Sequence, residues 1–370
     1  PRELEDWLVH GARAAFADLD LLARAIELAC ARRSSLVRAH EAGETDAYRL
    51  MNGDADGVPG FSVDVYDRWL VVRVDGDERT HDERALIDVL RALGCAGIYV
   101  KRHPKQANQL VDPSSEEVAP SLPVWGEPAP DALIVHEERV PFEVRLSDGL
   151  RTGLFLDQRD NRARLRALAP NKRVLNLFGY TGSFSVAALV GDAAAVTTVD
   201  VSRTAIAWAG RNAERVGRSE RHRAIADDVF DVLRRWADRR ERFDFVILDP
   251  PSYSTTKRRR FRAISDYAEL CAQALALLDE GGSLLACINH QGVSRAGLRR
   301  FVHEAARMSG RALVSIKDMP SGVDFPSEFG REPDMKSLLA ELAPRGTLSG
   351  GEASDVGRAR RRAGSQKTRR

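Results

Sequence analysis

The chain has 370 residues, 43% hydrophobic, 30% charged and 6% aromatic, enough to bury the cores of two or three domains. Those proportions exclude a collagen, a coiled coil and a wholly disordered chain. Lys plus Arg number 56 against 54 Asp plus Glu, so the formal charge is only +2 and any nucleic-acid surface has to be a local patch.

Residues 1–45 make a first, helical segment. Ala, Leu and Arg dominate it, and Leu19, Leu22, Ile26, Ala29 and Cys30 share one stripe, so a packing helix is expected up to about residue 40, with Gly43 ending it. Over residues 46–147 the period changes. A turn-rich loop from Asn52 to Gly60 precedes a hairpin (Phe61 to Val65, Leu70 to Val74), a helix (His81 to Leu93) and a strand (Ile98 to Lys101). After the Pro-rich passage 113–130 comes a second hairpin, Leu133 to His136 and Phe142 to Leu146. The pattern is β-β-α-β-β, a small α+β domain suited to contacting RNA.

In residues 148–345 strands alternate with helices, at Val174 to Leu177, Val196 to Val199, near Ile225, Phe245 to Leu248, Ser283 to Ile288 and Ala312 to Lys317. That alternation predicts a doubly wound α/β sheet. Residues 346–370 turn to Gly, Ser and Arg and read as a disordered basic tail, either touching RNA phosphates or merely solvated. The four cysteines, Cys30, Cys95, Cys271 and Cys287, have neither zinc-site nor disulfide spacing, so no metal is expected. The longest charge-free stretch, 174–191, is broken by Asn176, Gly179, Thr181 and Gly182 and is not a membrane span. A cytosolic protein is expected.

Candidate chemistry gathers at the strand ends. The first strand runs into Asn176-Leu177-Phe178-Gly179-Tyr180-Thr181-Gly182, where two glycines let backbone approach a ligand and a helix near Ser183 points its N-terminus at it. The G-x-G-x-x-G spacing of a pyrophosphate loop is absent, which suits a nucleoside cofactor without pyrophosphate. Asp200, followed by Val201 and Ser202, ends the second strand, where an acid either binds ribose hydroxyls or caps a helix. Asp227 and Asp228 follow the third strand and either accept from an adenine amine or cap the next helix. The sharpest motif is Asp249-Pro250-Pro251-Ser252-Tyr253. A buried strand delivers a carboxylate to the crevice, two prolines fix the backbone, and Tyr253 can stack on a planar base.

Taken together, these motifs resemble those of class I S-adenosylmethionine methyltransferases. From Tyr48 to Leu342 the chain is similar to the bacterial large-subunit ribosomal RNA methyltransferases, both the cytosine-5 type and the guanine-7 type. The resemblance rests on Arg49-Leu50 with Asp54 to Gly60, Asp148 to Arg159 (DGLRTGLFLDQR), Asn176 to Gly182, Val199 to Ser202 and Asp249 to Tyr253. It implies a Rossmann-like class I methyltransferase sheet preceded by a small α+β domain, S-adenosylmethionine as cofactor and rRNA as partner. It also implies that Thr152, Phe155, Asp157, Gln158 and Arg159 lie beside the cofactor, although periodicity alone reads residues 154–168 as an amphipathic helix. In place of the N-terminal RNA-binding PUA domain usual in these relatives, the helical residues 1–40 are expected.

The target atom turns on one residue. Carbon 5 of cytosine needs a thiolate to add to the ring first, whereas guanine nitrogen 7 offers its own lone pair. Asn289 stands where the cytosine-5 relatives carry Cys and where the guanine-7 relatives also carry Asn. Cys287, two residues earlier, is either an inert core thiol or a displaced nucleophile. A guanine-7 reaction is therefore expected, with a cytosine-5 enzyme using Cys287, or a non-catalytic RNA-binding protein, as alternatives. For grip on RNA the candidates are Lys101, Arg102 and Lys105, and the run Lys257, Arg258, Arg259 and Arg260.

Overall fold

In the computed structural model the described residues are 16, 18–76, 80–103, 115–255, 260–328 and 330–344. Two helices open the described chain, α1 (Leu19–Arg32) and α2 (Ser34–Glu41), where the sequence suggested one. The break falls at Arg33, whose fully buried guanidinium turns inward to donate to both carboxylate oxygens of Asp56 and to the Arg49 carbonyl. Asp18 caps α1 by accepting from the amides of Asp20 and Leu21.

The strands β1 (Ala47–Asn52), β2 (Phe61–Tyr66) and β3 (Trp69–Asp75), the helix α3 (Thr80–Leu90) and the strands β4 (Gly97–His103) and β5 (Trp125–Gly126) follow. Their sheet has the order β1-β2-β3-β4-β5, with β3 and β4 parallel. Alternation divides its faces. Leu50, Val63, Val72 and Val100 pack with Leu22 and Ile26 of α1 and Leu86 of α3, while Arg49, Asp64, Arg73, Lys101 and His103 occupy the other parity. The second hairpin, β6 (Leu133–Glu137) and β7 (Val140–Val144), does not extend this sheet; it pairs only with itself.

The second half runs α4 (Arg159–Leu168), β8 (Arg173–Leu177), α5 (Ser183–Val190), β9 (Ala195–Asp200), α6 (Arg203–Arg215), β10 (His222–Ala226), α7 (Val229–Asp238) and β11 (Phe243–Leu248). A short pair, β12 (Tyr253–Thr255) and β13 (Arg260–Arg262), then leads to α8 (Ala263–Ala276), β14 (Leu278–Asn289), α9 (Arg295–Met308), β15 (Leu313–Met319) and β16 (Met335–Leu342). The sheet order is β10-β9-β8-β11-β14-β16-β15, and β16 is antiparallel to both neighbours. Helices cover both faces, Val232, Leu270 and Val302 on one and Leu165 and Leu189 on the other. The chain order reverses at β8, which puts a crevice at the carboxyl ends of β8, β9 and β11.

The hairpin β6–β7 packs against α6. Asn212 Oδ1 accepts from the Glu143 amide at 3.0 Å and Trp208 Nε1 donates to the Glu143 carbonyl at 3.2 Å. The basic tail lies outside the described residues. Among those described, no helix is long and apolar enough to cross a membrane.

Candidate functional site

The loop after β8 holds its shape by backbone strain and close packing. Phe178 and Tyr180 carry positive φ values of 57° and 47°, which few non-glycine residues adopt. The Tyr180 amide donates to Asp200 Oδ2 at 3.0 Å, so the acid at the tip of β9 fixes the loop at the tip of β8. Asp200 Oδ1 accepts from the Ser202 amide, and Ser202 itself caps α6 by accepting from the Ala205 amide. Asp200 is therefore a crevice acid and not the helix cap. Val201 stands exposed beside it.

The glycines serve the protein's own packing. A Cβ on Gly182, at φ +79°, would lie 2.7 Å from Ala209 Cβ of α6, and one on Gly179 would lie 2.4 Å from Thr198. Close approach of α6 and β9 thus requires glycine at both positions. Two further residues of that motif turn away from the crevice. Asn176 is buried and donates to Ser185, which shares hydrogen bonds with Thr198 and through it with His222. Thr181 donates to the Gly153 carbonyl at 2.5 Å and so ties the loop to the segment before α4.

That segment opens with a single 3-10 turn, Leu156–Gln158, and α4 begins only at Arg159, so the helix expected from residue 154 starts later. Thr152 shares a hydrogen bond with the Tyr66 hydroxyl at 2.8 Å. The Phe155 ring meets Tyr180 at 5.4 Å. Gln158 is a buried bridge: its Nε2 donates to Asp249 Oδ2 at 3.0 Å and to Met335 Sδ, while its Oε1 accepts from Asn161 and from the Cys287 thiol at 4.0 Å. Arg159 does not face the crevice. It forms a two-pronged pair with the fully buried Asp324, at 2.8 and 2.6 Å.

Asp249 ends β11 beside the crevice, with Pro250 buried and Tyr253 exposed beyond it. Burial pushes the Asp249 carboxyl up to about 7, and nearby Asp157 adds to this, against the lowering effect of the Gln158 hydrogen bond. Asp157 is also raised, first by burial and against the pull of Arg49 and Arg162. Its Oδ1 is buried with no hydrogen-bond partner among the described residues. Past β10 the acids are committed: Asp228 caps α7 through the Phe230 amide, and Asp227 accepts from the Asp228 amide and from Arg235 at 2.5 Å. Phe178 packs against Phe230 and Phe261, at 6.3 and 6.4 Å between ring centres.

In front of this crevice lies a cleft of about 710 Å³, whose wall on the other side is the polar face of the small sheet. Arg49, Arg73 and His103 line it from β1, β3 and β4, and Arg151, Phe155, Asp157, Tyr180 and Asn289 line it from the larger half. Asn289, at the tip of β14, is exposed there, while Cys287 is fully buried beneath it. Of the expected RNA contacts, Lys101 is buried with its Nζ unpartnered among the described residues, and Arg102 pairs with Glu83 at 2.5 Å. Lys105, Lys257, Arg258 and Arg259 lie outside the described residues, and of Arg260 only the backbone is described, in β13.

Asp324 and β16 carry no signal in the sequence. Asp324 accepts from Arg159 and from the Arg49 amide, and its carbonyl accepts from Arg33, so one acid joins α1, β1 and α4. Only its distant partners identify it. The strand β16 buries Lys336 and Ser337, which hides its alternation; Lys336 Nζ donates to the His290 carbonyl and Ser337 accepts from Asn161.

Six strands run in one direction with an antiparallel seventh inserted, the first-strand loop is pinned by the second-strand acid, and D-P-P stands at the fourth. This is the architecture of a class I methyltransferase. The family described as S-adenosylmethionine-dependent methyltransferase matches residues 66–339. Ribosomal RNA large subunit methyltransferase I of Escherichia coli O127:H6 is 34% identical over 290 residues, covering 76% of this chain and 70% of that one. Among solved structures, a methyltransferase complexed with S-adenosylhomocysteine superposes with a TM-score of 0.75 at 27% identity, over 86% of this chain and 81% of that one. A methyltransferase from Streptococcus mutans gives a TM-score of 0.72 at 26% identity over the same shares, 86% and 81%. The chain belongs to the S-adenosylmethionine-dependent methyltransferases, an enzyme family whose cofactor is S-adenosylmethionine.

The residues fit that cofactor. An acid at the β9 tip suits ribose hydroxyls, a carboxylate at the β11 tip suits a cationic sulfur centre, and the loop between them has no pyrophosphate spacing.

Proposed function

We propose that this enzyme methylates a base of large-subunit ribosomal RNA, with guanine nitrogen 7 as the accepting atom. The RNA class follows from the E. coli relative, whose name states its substrate. The atom follows from one observation: the crevice presents Asn289 at the tip of β14, and none of the four cysteines lines the cleft.

When bound, S-adenosylmethionine supplies an already activated methyl group, so the protein's task is alignment and electrostatics. Asp200 holds the ribose end, and Phe155 and Tyr180 flank the reacting centre. Asn289 and the Asp249-Pro250-Pro251 backbone orient the base edge-on, and Tyr253 covers its face. Attack by nitrogen 7 leaves the purine cationic. Asp249, ionised above about pH 7, accepts from the imino and amino edge and opposes that charge. No proton leaves and no covalent adduct is required.

A cytosine-5 reaction would need a thiolate. Cys287 is buried, its thiol donates to Gln158, and burial together with Asp249 pushes its pKa well above the ordinary thiol value. Those are the marks of an inert core cysteine. Nucleoside mass spectrometry of large-subunit rRNA treated with the purified enzyme and S-adenosylmethionine decides between the two. 7-Methylguanosine is expected, and 5-methylcytidine in its place would overturn the assignment.

A further inference from the structure

We propose that the small-sheet wall of the cleft binds a phosphate of the substrate strand, held by Arg73, His103 and Arg151. This rests on the reading of the cleft as an RNA site, and it assigns backbone charge to residues outside the basic runs of the sequence.

Arg73 and His103 sit on the adjacent strands β3 and β4, where the register pairs Arg73 with Lys101 and Asp75 with His103. The parity is that of Arg49 and Asp64, opposite the helices. Arg73 Nε, His103 Nε2 and Lys101 Nζ are buried nitrogens with no hydrogen-bond partner among the described residues. Each such orphan costs about 1–3 kcal/mol unless something accepts from it. Of these, Arg73 and His103 line the cleft, where an acceptor with many lone pairs would satisfy both.

Charge points the same way. Arg49, on the same wall, is already committed, to Asp64 at 2.6 Å and to Asn52 at 2.8 Å. Arg73 and Arg151 make no ion pair among the described residues, and Arg151 reaches the cleft from the opposite wall, 5.4 Å over the Phe155 ring. Asp64 is neutralised by Arg49 and Glu328 by Arg331, while Asp54, Asp75, Asp157, Glu332 and Asp334 also line the cleft. His103 is held near 3 by burial and by Arg73, Arg151 and Arg49, so its imidazole is a neutral donor in a positive field. A phosphate between the two walls relieves that field and takes the orphan hydrogens.

The test has two arms. Inorganic phosphate is titrated into histidine-labelled protein while the ring-nitrogen resonances are followed. The His103 signal is expected to shift saturably in the wild type and to stay still in Arg73→Met and Arg151→Met, both of which still bind S-adenosylhomocysteine. An unmoved His103 in the wild type, or an equal shift in the variants, overturns the phosphate site. In the second arm an rRNA fragment is bound between about 50 and 200 mM KCl, and each variant is expected to bind about tenfold more weakly with its salt slope lowered by about one. Variants with wild-type affinity and slope remove the subsite and leave the RNA reading intact. A wild type that binds phosphate but no RNA removes the RNA reading and leaves the anion site.

Discussion

Asp324→Ala is expected to lower the free energy of unfolding by about 3–5 kcal/mol, because it strands the buried Arg159 guanidinium without its counter-charge. The loss extends beyond one pair. Asp324 also accepts from the Arg49 amide, and its main chain meets Arg33, so the substitution loosens the seam between α1, β1 and α4 together. Urea unfolding measures it. Asp324→Asn, which keeps the shape and one acceptor, is expected to fall between the two. Replacing Arg159 and Asp324 together by apolar residues of similar volume is expected to recover much of the loss, since breaking one partner of a buried pair costs more than removing both. A drop under about 1 kcal/mol for Asp324→Ala would mean that water reaches the pair and that the seam is not sealed.

Asp249→Asn is expected to reduce kcat by about 10²–10³, the range for loss of one preorganised electrostatic contact in a transition state. Its pH behaviour separates this role from a structural one. Burial, with Asp157 second, raises the carboxyl to about 7, so the wild-type rate is expected to rise with pH through neutrality and then level. The stability effect has the opposite sense. A carboxyl whose folded pKa lies above its unfolded value stabilises the fold at low pH and loses that contribution as pH rises through about 7. The Asn variant should therefore be at least as stable as the wild type at pH 8 while its rate is low and flat with pH. A variant that retains the wild-type pH profile would remove Asp249 from the chemistry.

The fold was largely legible because its signals are local. Short apolar runs ending in Asp200 and Asp249, separated by helical stretches capped at Ser202 and Asp228, specify parallel strands with acids at their tips. What stayed hidden depends on distant partners. The places of Gln158 and Arg159 came from resemblance and those of Asn176 and Thr181 from the glycine loop around them, neither of which says which way a side chain points. The structure turns Asn176 toward Ser185, Thr181 toward Gly153 and Arg159 toward Asp324, leaving Gln158 in contact with Asp249. Lys101 read as a surface cation because charge runs usually are, yet it lies within β4 and is buried on the sheet's polar face. The polar wall of the cleft was invisible for the same reason, since Arg49, Arg73 and His103 share a face only after four strands pair.

The decisive measurement is methyl transfer by Cys287→Ala, assayed with rRNA and again with RNA carrying 5-fluorocytidine. Turnover within about threefold of the wild type, and no covalent protein–RNA species with either protein, is the expected result for an enzyme whose buried thiol only fills space. Loss of turnover with cofactor binding intact, or a trapped adduct that disappears in the variant, would contradict it and make this a cytosine-5 enzyme.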